Sequence, residues 1–250
     1  SHLKAIVIDI KPERVVYLGD DFSLQTLIWS DNYQWARRRI TINSFGPKPQ
    51  NFYDILKVGD LIYLQDSVSG KTLDQLPDAE AAFVASNPST GAILSYQGGF
   101  NFSKSNFDRV KQSFPQAGSS FKPFIYSAAI ANGYKASDTI NDAPIIFEDQ
   151  NLESAWRPEN YTGKFYGPIR LREALVQSVN IVSIKLLREL GIDKAHAFLE
   201  NFGFPRSRLA PDLSLALGSS SFSPAEMIRA YNFLANSGEG KNLYFIEKII

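Results

Sequence analysis

Gly118-Ser119-Ser120-Phe121-Lys122-Pro123-Phe124 places a hydroxyl and an amine three residues apart at the start of an apolar run. Residues i and i+3 of a helix share a face, so Ser119 and Lys122 are expected within hydrogen-bond reach, a serine nucleophile with a lysine as its base. Phe121, Phe124, Ile125, Ala128 and Ala129 recur at helical spacing up to Asn132-Gly133, which predicts a helix over Lys122 to Ala131 with Ser119 at its N-terminus. Unpaired backbone N–H groups and the helix dipole favour negative charge there, as on an oxyanion. Pro123 fits a first turn.

The same four-residue spacing occurs at Ser1-His2-Leu3-Lys4, so spacing alone does not separate a nucleophile from an ordinary serine N-cap followed by a solvated lysine. A second constellation lies downstream, Gln177-Ser178-Val179-Asn180, an S-x-N triplet. Serine acyl-transfer enzymes with an S-x-x-K nucleophile build the remaining walls of the cleft from S-x-N and K-T-G elements. Ser30-Asp31-Asn32 and Lys71-Thr72-Leu73 imitate these elements, but both precede Ser119 and the second lacks the glycine.

Landmarks on either side extend the pattern. Residues 82–94, Gly98-Gly99, Phe107-Asp108-Arg109, Trp156 to Tyr161, Leu171 to Asn180, Leu215-Ala216-Leu217-Gly218 and Ser223 to Met227 occur in the order found in one family. From about residue 77 to 250 the chain resembles the transpeptidase domain of bifunctional (class A) penicillin-binding proteins. The resemblance implies a mixed α/β (α+β) fold of the penicillin-binding and serine β-lactamase type, preceded by a small all-β OB-like module, with domains at 1–76 and 77–250. It implies that Ser119 attacks a D-Ala-D-Ala peptide, Lys122 takes its proton, Ser178 relays the proton to the leaving amine, and Asn180 binds both Lys122 and the substrate amide. The implied partners are peptidoglycan stem peptides and β-lactam antibiotics, acting at the periplasmic, extracytoplasmic face of the bacterial cytoplasmic membrane, with no cofactor or metal. The amine has to be partly neutral, against an ordinary pKa of ~10.4.

A serine β-lactamase shares the acylation step, yet no glutamate is followed four residues later by asparagine, the arrangement class A β-lactamases use to activate the deacylating water. A β-lactam-binding sensor, or an inactive scaffold acting through its β-rich module, is the non-catalytic alternative. No K-T-G follows Ser178. The domain is therefore expected to be cut short at its C-terminus, and a polypeptide of this length to be unstable or poorly active alone. Ser1-His2 reads as a cloning remnant, and the family's membrane anchor and glycosyltransferase domain are expected only in the full-length protein.

Twenty-six basic residues balance twenty-six acidic ones, which gives no global attraction to nucleic acid or anionic lipid. Arg37-Arg38-Arg39, beside Trp35 and Tyr33, is expected to be a solvated face. The absence of cysteine excludes disulfides and thiolate metal sites. His196, the one histidine placed to serve a Ser-His-Asp triad, falls in an amphipathic segment over Asp193 to Phe202 and is expected at the surface or half-buried.

Short apolar runs at Ala5 to Ile8, Val15 to Leu18, Leu24 to Trp29, Ile40 to Ile42 and Leu61 to Leu64 predict strands of a small barrel or sandwich. That module is expected to act as a spacer or a docking surface for cell-envelope proteins, with a linker over Val68 to Pro77. A hairpin is predicted over Phe83 to Tyr96, and a capped helix over Pro224 to Ala235 with Ser223 and Glu226 as its capping box. Periodicity draws Leu171 to Leu190 as one helix, whereas the resemblance implies a break near Ser178. A final strand is predicted over Leu243 to Ile250.

Overall fold

The structure is a computed structural model and describes residues 2–68, 70–145 and 156–249. Contacts divide the chain into two compact units, Ser1–Ala79 and Glu80–Ile250.

In the N-terminal unit the strands are β1 (Leu3–Lys11), β2 (Arg14–Gly19), β3 (Leu24–Ile28), β4 (Arg39–Thr41), β5 (Ser44–Phe45), β6 (Leu61–Ser67) and β7 (Gly70–Asp74). Five form one antiparallel sheet in the order β3-β2-β1-β6-β7, and the edge strands β3 and β7 touch, so the sheet curls as an OB-like barrel does. Alternation fixes the buried face: Ala5 and Val7, Val15 and Tyr17, Ile62 and Leu64 point inward with Leu27 and Leu73. Phe52 closes the core, with its ring edge-on to Trp29 at 5.2 Å between centroids.

One expectation changes here. The presumed linker over Val68 to Pro77 contains β7, which pairs with β6 and buries Leu73. One buried apolar residue in a polar pentapeptide is too weak a period-two signal to read without the partner strand. The arginine run is exposed, as expected, and within it Arg37 donates to the carbonyls of Gly46 and Phe45 and Arg39 to those of Thr41 and Ile42.

The second unit begins with the hairpin β8 (Phe83–Ser86) and β9 (Ile93–Gln97). A short helix α1 (Arg109–Gln112) leads to a 3₁₀ turn, Gly118–Phe121, that runs directly into α2 (Lys122–Ala131). After the antiparallel pair β10 (Thr139–Asp142) and β11 (Gly167–Arg170) come α3 (Leu171–Val176), α4 (Asn180–Leu190), α5 (Ile192–Glu200), a 3₁₀ turn at Leu213–Leu217 and α6 (Pro224–Ala235). Helix α2 is the centre of the core: Phe121, Phe124, Ile125, Ala128 and Ala129 are all fully buried against α4 and α5. Phe121 and Phe124 join Phe202, Phe204 and Phe222 in one aromatic cluster. Helix α6 carries its capping box, Ser223 with Glu226, and Arg208 pairs with that glutamate.

The periodic stretch Leu171 to Leu190 is broken into α3 and α4 at residues 177–179. The expected strand over Leu243 to Ile250 is absent from the described residues: Tyr244 alone bridges Ala92, Phe245 and Ile246 are exposed, and Ile250 lies outside the described residues. Apolar alternation makes a strand only where a ladder partner exists. His196 is buried rather than exposed, and its Nε2 donates to the Ala210 carbonyl at 2.9 Å. Among the described residues no helix is long and apolar enough to cross a membrane.

Candidate active site

The turn that carries Ser119 is held from behind by backbone. Gly118 N–H donates to Gly218 O at 2.9 Å, Ala117 N–H to Ser220 O at 3.0 Å, and Phe222 N–H to Pro115 O at 3.2 Å. Gly218 ends the 213–217 turn in the left-handed region, φ +72°, and a Cβ there would lie 2.0 Å from Gly118 O. Only glycine permits that approach. The Leu215 to Gly218 landmark is thus the seat of the Ser119 turn, a role its letters do not announce. Ser120 Oγ donates to Ala117 O and Tyr231 Oη to Ser120 O, so the neighbouring serine is committed to local structure. Ser119 is exposed, and no side chain caps α2, so the serine is not serving as an ordinary N-cap.

Lys122, the first residue of α2, is 1% exposed. Its Nζ donates to Ser178 O at 2.7 Å and Asn180 Oδ1 at 2.7 Å, and lies 3.1 Å from Ser178 Oγ. Burial lowers its pKa to about 8, because the ammonium loses water. Ser119 and Lys122 share no hydrogen bond among the described residues; the ammonium's donors are taken by the S-x-N segment.

That segment is shaped for the contact. Helix α3 ends as Ser178 N–H donates to Leu175 O at 3.0 Å and Val179 N–H to Ala174 O at 2.9 Å. Ser178 itself sits at φ +53°, unusual for a residue with a Cβ, and strain of this kind concentrates at functional sites. The reversal offers both its carbonyl and its hydroxyl to one amine. The buried Val179 then anchors the chain before α4 starts at Asn180. Asn180 Nδ2 donates to Glu159 O at 2.9 Å, which turns Oδ1 toward Lys122.

Ser119, Ser178 and Asn180 line one cavity of about 290 Å³ together with Asn160, Tyr161 and Tyr166. Of the Trp156 to Tyr161 landmark, Trp156 packs on the core, Asn160 is buried and Tyr161 is fully exposed at the cavity. The structure therefore brings all four sequence-designated residues, Ser119, Lys122, Ser178 and Asn180, into one place. The imitators fall elsewhere: Ser30 caps a 3₁₀ turn, Lys71 pairs with Asp66 on the N-terminal sheet, and Ser1 lies outside the described residues.

Known proteins resemble the chain along nearly its whole length. The penicillin-binding protein transpeptidase domain matches residues 81–250, and the penicillin-binding protein OB-like domain matches residues 1–79. The chain is 43% identical over 246 residues to penicillin-binding protein 1A of Pseudomonas aeruginosa, covering 98% of this chain and 30% of that protein. Against penicillin-binding protein 1A of Escherichia coli it is 37% identical over 247 residues, 99% of this chain and 29% of that protein. The crystal structure of penicillin-binding protein 1A from Haemophilus influenzae superposes with a TM-score of 0.85 at 36% identity, covering 99% of this chain and 35% of that one. Penicillin-binding protein A from Mycobacterium tuberculosis, solved as an imipenem acyl-enzyme complex, shares the fold with a TM-score of 0.57 at 21% identity over 66% of this chain and 48% of that one. This chain spans about 30% of the length of the curated relatives it matches. Matched by the transpeptidase model over more than half of its length, the chain belongs to the penicillin-binding protein transpeptidase family, with an OB-like domain over residues 1–79 and a transpeptidase domain over residues 81–250.

Proposed function

We propose that this chain carries the acylation centre of a peptidoglycan D,D-transpeptidase, with Ser119 as nucleophile and Lys122 as general base. The observation that carries the reading is the buried amine of Lys122, its pKa lowered to about 8, set against the S-x-N segment of a cavity that also exposes Ser119. As a neutral amine Lys122 has two N–H donors and one lone pair. Ser178 O and Asn180 Oδ1 can only accept, so at 2.7 Å each they take the two donors. The lone pair is then left for a hydroxyl proton. Catalytic hydrogen bonds often tighten only when substrate binds, which accommodates the missing Ser119 contact.

In the proposed cycle Ser119 Oγ attacks the carbonyl carbon of the penultimate D-alanine, and its proton passes to Lys122. The C–N bond to the terminal D-alanine breaks, and that proton returns through the Ser178 hydroxyl to the leaving amine. An amino group of a second stem peptide then attacks the acyl-enzyme and releases Ser119, forming the cross-link; attack by water would give carboxypeptidase activity. β-Lactams acylate Ser119 by the same first step. The substrates place the reaction at the extracytoplasmic face of the membrane.

The absence of a glutamate followed four residues on by asparagine weighs against a class A β-lactamase, and a Lys122 desolvated without a carboxylate partner among the described residues weighs against an inactive scaffold. The test is the intact mass of the protein before and after benzylpenicillin, with D-alanine release from a stem pentapeptide measured alongside. The wild type should gain one drug mass, and Ser119→Ala none. An adduct on Ser119→Ala would remove the assignment.

A further inference from the structure

Helix α4 begins with Asn180, and nothing within the helix caps it, since Val179 offers no side-chain acceptor. The cap comes from another loop. Asn160 Oδ1 accepts from Asn180 N–H at 3.0 Å and Ile181 N–H at 3.3 Å. Its Nδ2 donates to both carboxylate oxygens of Asp142, at 3.0 and 2.9 Å, and to Lys164 O at 2.9 Å. The amide cannot be turned over: its nitrogen faces only acceptors and its oxygen only donors. Asp142, fully buried on β10, also accepts from Tyr166 N–H at 2.8 Å, and Asn160 is 6% exposed. The adjacent residue of the same loop, Glu159, supplies the carbonyl that orients the Asn180 amide.

One short loop therefore sets two things about Asn180, where its backbone starts the helix and which way its side chain turns, and Asn180 holds Lys122 at 2.7 Å. We propose that Asn160, clamped by Asp142, is a positioning residue for acylation that holds Asn180, and through it the Lys122 amine, in reacting geometry. The proposal rests on the acyl-transfer reading above. It gives the Trp156 to Tyr161 landmark a task other than substrate contact. An uncapped α4 would let the first turn fray, and displacement by an ångström at the base is enough to slow chemistry without weakening substrate binding.

The test is stopped-flow labelling of the intact protein with a fluorescent penicillin, which separates the non-covalent dissociation constant, the acylation rate constant and the final labelled fraction. Asn160→Ala should lower the acylation rate constant about 100-fold, with the dissociation constant within about twofold and labelling complete. A wild-type rate constant would overturn the proposal, as would incomplete labelling at an unchanged rate, which marks a purely structural role. If Asn160→Ala does not fold, the isosteric Asp142→Asn decides: about a tenfold loss in the same rate constant supports the clamp, the worth of one ordinary hydrogen bond, and no change overturns it. A label on Ser119→Ala overturns both the proposal and the reading beneath it, whereas normal Asn160→Ala kinetics with an unlabelled Ser119→Ala remove only the proposal.

Discussion

The two units solve burial in opposite ways. In the N-terminal sheet the buried side chains are aliphatic or aromatic, whereas Lys122, Asp142, Asn160, Ser183, His196, Ser220, Ser223 and Asn232 are all buried in the second unit. No buried side-chain nitrogen or oxygen lacks a partner among the described residues. Burying a polar group without a partner costs a few kcal/mol, so such groups persist where the surrounding elements supply partners. The N-terminal unit is a barrel whose own buried side chains are apolar. The helical unit carries a polar seam from Asp142 through Asn160 and Asn180 to Lys122, and its strained residue, Ser178, sits on that seam. The contrast separates an apolar core from one threaded by hydrogen-bonded polar groups.

Lys122→Met should have the largest effect at the site. It preserves chain length and burial but removes the amine, and acylation by benzylpenicillin at neutral pH should fall about a thousandfold. Retention of the wild-type rate would mean that another group takes the serine proton. On the proposal that the neutral amine is the base, with its pKa lowered from 10.5 to about 8, the wild-type acylation rate should rise with pH and level off above about 8. An inflection near the ordinary lysine value would show that the amine is solvated in solution. Stability follows the same sign. The folded state holds this proton less tightly than the unfolded chain, so the lysine's penalty is fully present below about pH 8 and fades toward 10.5. Urea melts of the wild type, compared with Lys122→Met at pH 7.5 and 9.5, measure it.

Next in size is a pair of glycine variants. Gly218→Ala would drive a Cβ into the Gly118 backbone from a left-handed residue and should cost about 2–3 kcal/mol while displacing the Ser119 turn. Gly118→Ala, at φ +56° with nothing within 4 Å of the added carbon, should cost only about 1 kcal/mol. Denaturant melts of the two variants distinguish close approach from backbone preference, and equal losses would argue against the packing account.

Phe52→Ala is the smallest perturbation at the site and the sharpest test of the contrast. Removing a fully buried ring from the N-terminal core should cost that unit about 3–5 kcal/mol and change the acylation rate less than about twofold. A large drop in acylation, with the protein still folded at the assay temperature, would show that the units are not so different in purpose.

Much of this was legible in the residues. Period-two runs located β1, β2, β3 and β6, and apolar spacing located α2 and α6 with the Ser223–Glu226 box, because these elements bury a face whose pattern is local. Strand β7 was missed because its identity depends on pairing with β6, and a strand after Leu243 was wrongly expected because alternation was present without a partner. The break at Ser178 opposed the local pattern outright. Periodicity continues through residues 177–179, and only the left-handed turn, satisfied by contacts from α3 and Lys122, interrupts it. Asn160 and Gly218 carried no local signal of their roles, since a capping amide and a glycine contact are defined by what lies opposite them.

The amino-acid sequence alone settled the chemical types and their order: a hydroxyl and an amine three residues apart, and an S-x-N triplet downstream. Tertiary structure decided how they meet. The Lys122 amine turns to Ser178 and Asn180 rather than to Ser119, because burial removes its water and those residues, set by a strained turn and by a cap reaching from Asn160, present the acceptors that replace it. Local spacing can put two groups on one face. Which of them bond depends on desolvation and on donors and acceptors from distant segments, and those exist only once the chain has packed.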